Sequence, residues 1–479
     1  MKSTLLLMKN IKYLLLLTLF FIFSCRTEIE TPHPFEAYLA EPHPAYQYEL
    51  KSTIEGEGYT AYVIRMVSQE WLSEDLVNET EWWHWLTIVV PDVVEHNTGM
   101  LWIGGGTNYT ELPTSVNPML LSTALATNSI TADLHNVPFQ PISFLDDGRL
   151  EQRYEDDLIA YGWRKYLEGG AKDEDAVWLA RLPMTAAAIR ALDTTTDFAS
   201  ANLGLQLENF VVGGASKRGW TTWTTGIFDH RVIAIIPVVI DMLNVNPSFE
   251  HHWQALGEWS PAIKEYVDEN IMEWQASREF KRMLEIVDPY SYLDRLTMPK
   301  FIINGTSDEF FLPDSWQFYW HDLQGDKYLR YVPNYGHSLS SSDAGISMSS
   351  FYNRILTGKE IPAMEWQAGE NTFTISFDPD NLPDELLLWN AHNPEARDFR
   401  LYVINRIWVS QEIDIPENGQ VTVQLTVPDD GYTAWFVEAT FDAGTELPMK
   451  QTTGVVVTPD TYPADPYVPF QPRGTPLGM

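Results

Sequence analysis

The amino-acid sequence predicts an α/β fold with a mainly parallel sheet covered by helices, followed by a small β-sandwich-like domain. Over residues 51–362, short apolar runs alternate with amphipathic stretches, which is typical of strands connected by helices. Over residues 365–458, apolar and polar residues alternate within short segments separated by turn residues, as in an antiparallel sandwich. A chain of 479 residues with 44% hydrophobic residues is long enough to bury both cores.

The apolar runs and the turn residues between them place the individual elements. In the first region, strands are expected at 82–90, 100–103, 129–134, 208–213, 232–240, 299–304 and 328–332. Helices are expected at 116–127, 172–192, 217–228, 312–323 and 345–356. In the second region, strands are expected at 371–377, 385–390, 399–406, 420–427, 432–440 and 453–457.

A long insertion separates two of the predicted strands, 232–240 and 299–304. Residues 242–298 are too many for an ordinary connection in such a sheet, so they are interpreted as a lid. Trp253 and Trp259 in this lid are expected to line the substrate pocket. The alternative is a helical insertion that only packs on the core.

The N-terminus resembles a bacterial lipoprotein signal peptide, residues 1–25. Three lysines precede an apolar run, residues 13–23, that is too short to span a membrane stably. The run leads to Cys25, the only cysteine of the chain and the predicted lipid anchor. An ordinary secretory signal is the alternative. Both interpretations make the protein extracytoplasmic, and a lipoprotein would lie in the cell envelope, in the periplasm or at the cell surface.

The segments next to the two domains have a composition typical of linkers. Residues 26–50 are rich in Pro, His and Glu and are interpreted as a tether. Residues 459–479 are rich in Pro and are expected to form a poorly ordered tail.

The charge of the chain excludes several classes of partner. There are 31 Lys and Arg against 66 Asp and Glu, which gives a net charge of −35. Such a surface repels phosphate groups, so nucleic acid is not expected as a partner, and membrane contact is expected only through the N-terminal lipid. The histidine pairs His251-His252 and His33/His43 lack partners at ligand spacing, so no metal is predicted. No cofactor is expected.

The strongest local signal is a predicted strand that runs through Gly213 and Gly214 into Ser216 and a predicted helix. A serine on such a sharp strand-to-helix turn needs small neighbours, and it is exposed as a nucleophile. The backbone N–H of Lys217, at the start of the helix, is expected to stabilise an oxyanion. The pattern departs from G-x-S-x-G because Arg218 occupies the second small position.

Two further polar residues follow predicted strands in the order that a Ser-His-Asp triad requires. Asp308 follows strand 299–304 through a glycine turn, and His337 follows strand 328–332. Strand ends in open α/β sheets are where sites assemble, so these residues are predicted to be the acid and the base. Asp314 is the alternative acid, although its position also suits a helix N-cap.

A second oxyanion donor is expected from the glycine run Gly104, Gly105 and Gly106 after strand 100–103. No phosphate-binding glycine motif is present. Arg218 is expected either to face the substrate or to form a buried ion pair that holds the turn. Asp241, at the end of strand 232–240, is expected to line the cleft or to be structural.

Several motifs together resemble the PhoPQ-activated pathogenicity-related protein family. They are the string Gly214-Ala215-Ser216-Lys217-Arg218-Gly219-Trp220-Thr221, the pair Trp83-His84, the glycine run and the strand end at Asp308. The resemblance covers about residues 35–455 and implies an α/β-hydrolase fold, a C-terminal β domain and an extracytoplasmic location. It implies no substrate. A eukaryotic branch of the family resembles autocrine proliferation repressors. An Arg after the nucleophile is also similar to glucuronoyl esterases, in which a basic residue meets an acidic sugar.

Three functions remain open from the sequence. The first is a serine hydrolase that cleaves an ester, including a carbohydrate-linked one, through Ser216, His337 and Asp308. The second is a serine peptidase acting on an amide with the same residues. The third is a catalytically silent binding or signalling ectodomain that keeps the fold.

Overall fold

The computed structural model describes residues 32–149, 151–369 and 371–478. The predicted signal peptide, the predicted lipid anchor at Cys25 and the first part of the predicted tether lie outside the described residues. No helix in the described part of the chain is long and apolar enough to cross a membrane.

The larger region is built on a nine-stranded sheet within the described residues. Its strands are β1 (Gln47–Gly56), β2 (Tyr59–Glu70), β3 (Glu81–Pro91), β4 (Thr98–Ile103), β5 (Thr131–Leu134), β6 (Asn209–Ala215), β7 (Val232–Val238), β8 (Lys300–Gly305) and β9 (Lys327–Val332). Their spatial order is β1-β2-β3-β5-β4-β6-β7-β8-β9. The pairs β1–β2, β2–β3 and β3–β5 are antiparallel, and every pair from β5 to β9 is parallel. The predicted mainly parallel sheet is confirmed.

The described α-helices cover the sheet and form the insertion. They are α1 (Pro34–Ala40), α2 (Pro118–Thr127), α3 (Glu155–Glu168), α4 (Arg181–Phe198), α5 (Lys217–Phe228), α6 (Val245–Leu256), α7 (Lys264–Asp268), α8 (Arg278–Val287), α9 (Ala344–Thr357) and α10 (Leu401–Ile404). The central strands are mostly apolar because both of their faces are covered. Val211 and Val212 in β6 are fully buried on opposite faces. Gly219 allows α5 to approach the sheet, since a Cβ there would lie 2.7 Å from Ile240.

The C-terminal region contains two antiparallel sheets. One has the order β10 (Met364–Gly369), β11 (Thr372–Phe377) and β14 (Gln420–Gln424). The other has the order β13 (Val409–Glu412), β12 (Glu385–Asn393), β15 (Tyr432–Phe441) and β16 (Met449–Thr452), and β17 (Val456–Thr458) pairs with β15. Apolar residues of both sheets, including Phe373, Leu386 and Val437, share one buried core. This confirms the prediction of a separate small β domain.

Several predicted elements differ from the structure. Residues 34–50, part of the predicted tether, form α1 and the start of β1, and Phe35 is fully buried and stacks on Phe228 at 4.4 Å. The predicted helix 312–323 contains only a short 3-10 turn at Ser315–Phe318, and the predicted strand 399–406 contains α10. In each case long-range packing outweighs the local pattern.

The insertion at 242–298 contains α6, α7 and α8 joined by short 3-10 turns. The C-terminal tail, expected to be poorly ordered, instead lies along this insertion. The backbone N–H of Ala464 donates to Gln254 O at 3.1 Å, and that of Arg473 donates to Glu273 O at 2.9 Å. These backbone bonds and aromatic contacts of Tyr467 supply the ordering that the composition alone does not predict.

Candidate active site

Ser216 lies on a sharp turn between β6 and α5. Its φ and ψ are 59° and −127°, a conformation that is strained for a residue with a side chain. The turn is tight, because a Cβ at Gly214 would lie 2.7 Å from Arg218 O. Only glycine fits there. The sequence therefore presents the Ser216 hydroxyl at the carboxyl end of the central strand.

Ser216, His337 and Asp308 form one hydrogen-bonded chain. The Ser216 hydroxyl lies 2.8 Å from Nε2 of His337, and Nδ1 of His337 lies 2.9 Å from Oδ2 of Asp308. A carboxylate accepts only, so Nδ1 carries the proton and Nε2 accepts from the serine. Asp308 follows β8 and His337 follows β9, and the parallel strand order brings both to the end of β6.

The loop after β8 holds the acid and the imidazole in place. Asp308 is almost fully buried, and its Oδ1 accepts the backbone N–H of Phe310 at 2.7 Å. The Phe310 ring packs 4.2 Å from the His337 ring. The backbone N–H of His337 donates to Oε2 of Glu309 at 2.7 Å. Glu309 is a positioning residue that no sequence signal marks, because its contact depends on two loops meeting.

The electrostatics around His337 favour its protonated form. Burial alone would lower the pKa of His337, but the charge of Asp308 and its hydrogen bond outweigh burial, so the pKa lies above its usual value. Such a shift stabilises an imidazolium, the form that a base adopts after it takes a proton from serine.

Asp314, the alternative acid, does not contact His337. Its Oδ1 lies 2.9 Å from Nε2 of His251 in α6, and its Oδ2 lies 2.5 Å from Arg397 of the C-terminal region. Burial would raise the pKa of Asp314, but Arg397 and His251 hold it well below its usual range. Asp314 therefore joins the insertion to the β domain.

The predicted oxyanion donors occupy different positions. Lys217 follows Ser216 and lines the same cavity. The N–H of Gly104 donates to Leu134 O at 2.7 Å, so it is not directed at a substrate. The carbonyls of Gly105 and Gly106 accept from the Asn136 backbone and the Gln140 side chain, both at 2.8 Å. None of the three glycines belongs to the cavity wall.

Arg218 does not line the cavity either, because it turns away and pairs with Glu155. Arg218 Nη2 lies 2.6 Å from Glu155 Oε1, and Arg218 Nε donates to Val137 O at 2.5 Å. Lys217 Nζ lies 2.8 Å from Glu155 Oε2 and 3.0 Å from Asp156. Burial would raise the pKa of Glu155, but the two cations lower it to about 2. The ion-pair alternative for Arg218 is the one that the geometry supports.

A small cavity of about 50 Å³ opens beside Ser216. Asp241 lines it, as expected, and its carboxylate accepts the hydroxyls of Tyr319 at 2.6 Å and of Tyr331. Burial raises the pKa of Asp241 to about 7. The apolar part of the wall comes from both the sheet side and the insertion: Trp163, Trp220, Ile240, Met242, Phe249, Ile263, Phe310, Phe311 and Leu312.

Trp253 and Trp259 do not line this cavity, contrary to the expectation for a specificity pocket. Trp253 packs 4.8 Å and Trp259 packs 4.9 Å from the Tyr467 ring in the tail. They are covered by a segment that lies two hundred residues away in the sequence, so local pattern could not place them. Among the described residues, no group of three or more His, Cys, Asp or Glu is arranged to hold a metal ion.

Three features together define an α/β-hydrolase-type protein. They are the mainly parallel sheet, the strained Ser216 between β6 and α5, and the hydrogen-bonded chain from this serine to His337 and Asp308. The chain belongs to the PhoPQ-activated pathogenicity-related protein family, whose model matches residues 35–400. The resemblance predicted from the sequence is thereby confirmed.

A sequence relative agrees with this family, and solved structures are similar over part of the chain. The chain is 35% identical over 457 residues to autocrine proliferation repressor protein A of Dictyostelium discoideum. The aligned residues cover 90% of this chain and 91% of that protein. Among solved structures, an acetyl xylan esterase from Paenibacillus sp. R4 is similar with a TM-score of 0.47 and 14% identity, over 70% of this chain and 97% of that one. A glucuronoyl esterase from Solibacter usitatus is similar with a TM-score of 0.37 and 12% identity, over 69% and 92%.

Proposed function

We propose that this protein is a serine hydrolase that cleaves esters of small acyl groups, with Ser216 as nucleophile, His337 as base and Asp308 as the acid that orients it. The observation that carries the proposal is the hydrogen-bonded chain, in which Ser216 Oγ lies 2.8 Å from His337 Nε2 and His337 Nδ1 lies 2.9 Å from Asp308. Both distances lie within the range that proton transfer and orientation require.

The reaction proceeds in two halves. Ser216 Oγ attacks the ester carbonyl while its proton passes to His337 Nε2, and the Lys217 backbone N–H stabilises the oxyanion. His337 then protonates the leaving alcohol, and the acyl group stays on Ser216. In the second half, water gives a proton to His337 and attacks the acyl carbon, which releases the acid and restores Ser216. Asp308 remains ionised and stabilises the imidazolium throughout.

The size of the cavity supports a short acyl group. A volume of about 50 Å³ beside Ser216 has room for only a few water-sized groups. A long chain or a bulky peptide side chain would require the insertion to move. An ester of a short acid is therefore favoured over a peptide, and the alcohol, a carbohydrate included, would leave towards solvent.

A fluorophosphonate probe tests the proposal without assuming a substrate, because it reacts with serines that a base activates. We expect the full-length protein to be labelled, and the Ser216→Ala and His337→Ala variants not to be labelled. Ser338→Ala is the matched control, since this exposed serine is next to His337 in the chain and its hydroxyl accepts the Ser340 backbone N–H rather than bonding to an imidazole. Absence of labelling in a folded parent protein would contradict the hydrolase assignment.

We place the protein outside the cytoplasm, held at a membrane by a lipid on Cys25, on the basis of the N-terminal sequence. Growth of a bacterial host with labelled palmitate tests this. The full-length chain should carry the label and sediment with membranes. The Cys25→Ser variant should carry no label, and a labelled variant would contradict the anchor.

A second candidate function is that of a secreted regulator, and the 35% identity to a proliferation repressor over most of both chains favours it. The two functions differ in their dependence on Ser216. If Ser216→Ala abolishes fluorophosphonate labelling but leaves a growth effect of the purified protein unchanged, the regulatory role does not use the hydrolase chemistry.

A further inference from the structure

Arg181 is a buried cation in the wall of the cavity beside Ser216. It is the first residue of α4, it is 3% exposed, and it lines the same cavity as Ser216 and Lys217. Its guanidinium lies 4.3 Å from the Trp220 ring, which covers one of its faces. The side chain is therefore almost fully buried in the cavity wall.

The guanidinium of Arg181 lacks a carboxylate partner in the described part of the chain. One N–H donates to Lys217 O at 2.9 Å, and among the described residues Nε has no hydrogen-bond partner. Burial lowers the pKa of Arg181, and the Tyr266 hydroxyl and the charge of Asp156 offset this only in part. A guanidinium has five N–H donors and one positive charge, so these contacts satisfy it only in part. The other cations at this place, Lys217 and Arg218, are already paired with Glu155 and Asp156.

The remaining carboxyl groups of the cavity wall are also occupied. Asp156 is paired with Lys217 and accepts the Tyr266 hydroxyl at 3.0 Å. Asp241 accepts two tyrosine hydroxyls, those of Tyr319 and Tyr331. Neither forms an ion pair with Arg181 among the described contacts. A buried charge without a partner destabilises a fold by several kcal/mol, so a purely structural position would favour an apolar side chain.

We propose that Arg181 is an anion site, and that the acyl group entering this cavity ends in a carboxylate. The substrate class is then a half-ester of a short dicarboxylic acid, with the free carboxylate paired to Arg181 and the ester carbonyl at Ser216. This inference rests on the proposed hydrolase function and specifies its substrate. The bond between the acyl carbon and the alcohol oxygen breaks, the acyl group passes to Ser216 Oγ, and water releases the dicarboxylate.

Arg181 suits this role because a guanidinium binds a carboxylate through two parallel N–H donors. In the buried wall, such a pair replaces the missing partner and is not screened by solvent. A neutral acyl group of the same length would leave Arg181 unpaired. The expected result is a preference for the charged acyl group of ten-fold or more in kcat/KM.

Ligand binding to the full-length Ser216→Ala protein tests the anion site independently of turnover. Succinate and butyrate have the same number of carbon atoms and are compared at equal ionic strength by thermal unfolding. We expect succinate to raise Tm by several degrees at millimolar concentration and butyrate to raise it much less. Equal shifts with the two acids would overturn the proposal, and this comparison requires no change at Arg181.

Variants at Arg181 then assign the effect to this side chain. Arg181→Met should abolish the difference between succinate and butyrate, and Arg181→Lys, which keeps the charge, should retain part of it. Arg164→Met is the control, because Arg164 pairs with Glu269 and does not line the cavity. Should both Arg181 variants fail to fold, the succinate comparison in the Ser216→Ala protein still decides the question.

Turnover separates this inference from the proposed function. The parent protein should hydrolyse 4-nitrophenyl hemisuccinate at least ten-fold faster than 4-nitrophenyl butyrate, after subtraction of spontaneous hydrolysis. A labelled, active enzyme that prefers the butyrate ester would refute the anion site and leave the hydrolase assignment intact. A protein that binds succinate selectively but is not labelled by a fluorophosphonate would refute the hydrolase assignment alone.

Discussion

The carboxylate of Glu155 lies 2.6 Å from Arg218, two residues after the nucleophile, and so joins the start of α3 to the start of α5. Its second oxygen pairs with Lys217 at 2.8 Å. One carboxylate therefore holds both cations that follow Ser216. This contact fixes the direction of the helix whose first N–H is proposed to meet the oxyanion.

Replacement of Glu155 by alanine should destabilise the protein, because two largely buried cations lose their common partner. We expect the free energy of unfolding to fall by about 2 kcal/mol, less than for a fully buried pair, since the Glu155 side chain is 37% exposed. Urea unfolding measures the change. Glu151→Ala, an exposed position four residues earlier, is the control and should change stability by less than about 0.5 kcal/mol.

The pH dependence of activity should follow His337. The base must be neutral to accept the serine proton, so kcat/KM falls as the pH drops through the pKa of the imidazole. Because Asp308 raises this pKa, the acidic limb of the pH profile of kcat/KM should have its midpoint above the ordinary histidine value of about 6.5. Asp308→Asn removes the charge, so the limb should move to lower pH while the maximal rate falls on the order of 10⁴-fold. An unchanged limb would contradict the role of Asp308.

Much of the site could be predicted from the sequence because its chemistry lies at strand ends. Ser216, Asp308 and His337 each follow an apolar strand, and parallel topology brings such ends together. Glu155 and Arg181 carry no comparable signal, because each acquires its role from residues that are distant in the sequence. Their positions depend on packing, which periodicity does not encode.

The same distinction applies to the fold. Strands β4 to β9 are buried along most of their length and were predictable, whereas β1 contains no buried residue and resembles a linker. Tryptophans in the insertion suggested a pocket wall. Trp253 and Trp259 pack instead against the C-terminal tail, whose own sequence shows only prolines and scattered aromatic residues.

Asp241 should make the stability of the protein depend on pH. Its pKa is raised by burial to about 7, above the value of about 3.9 in an unfolded chain. The folded state therefore binds the proton more tightly, and the stability that this provides is complete below about pH 4 and is lost as the pH rises through 7. Between pH 4.5 and 7.5, the free energy of unfolding of Asp241→Asn should fall less than that of the parent protein, by up to about 3 kcal/mol.

Urea unfolding at the two pH values measures this difference, and Asp378→Asn serves as the control because Asp378 is exposed. Only the difference between variant and parent is assigned to Asp241, since other groups titrate over the same range. Parallel stability profiles for the parent and Asp241→Asn proteins would show that Asp241 titrates normally.

The C-terminal tail should hold the insertion against the body of the protein. The Tyr462 hydroxyl lies 3.0 Å from Nδ1 of His251, whose Nε2 lies 2.9 Å from Asp314. Deletion of residues 459–479 removes this contact and the backbone bonds to Gln254 and Glu273. We expect amide hydrogen exchange in α6 and the 3-10 turn at Ile271–Trp274 to accelerate at least ten-fold, with little change in β6 and β7.

Tyr462→Phe separates the hydrogen bond from the rest of the tail. It should lower the free energy of unfolding by about 1 kcal/mol and accelerate exchange mainly in α6, because the ring still packs against His251. Tyr402→Phe, on the exposed side of α10, is the matched control. Unchanged exchange in α6 after the deletion would contradict this prediction. It would show that the insertion is stable without the tail and that the contacts of Tyr462 do not hold the insertion in place.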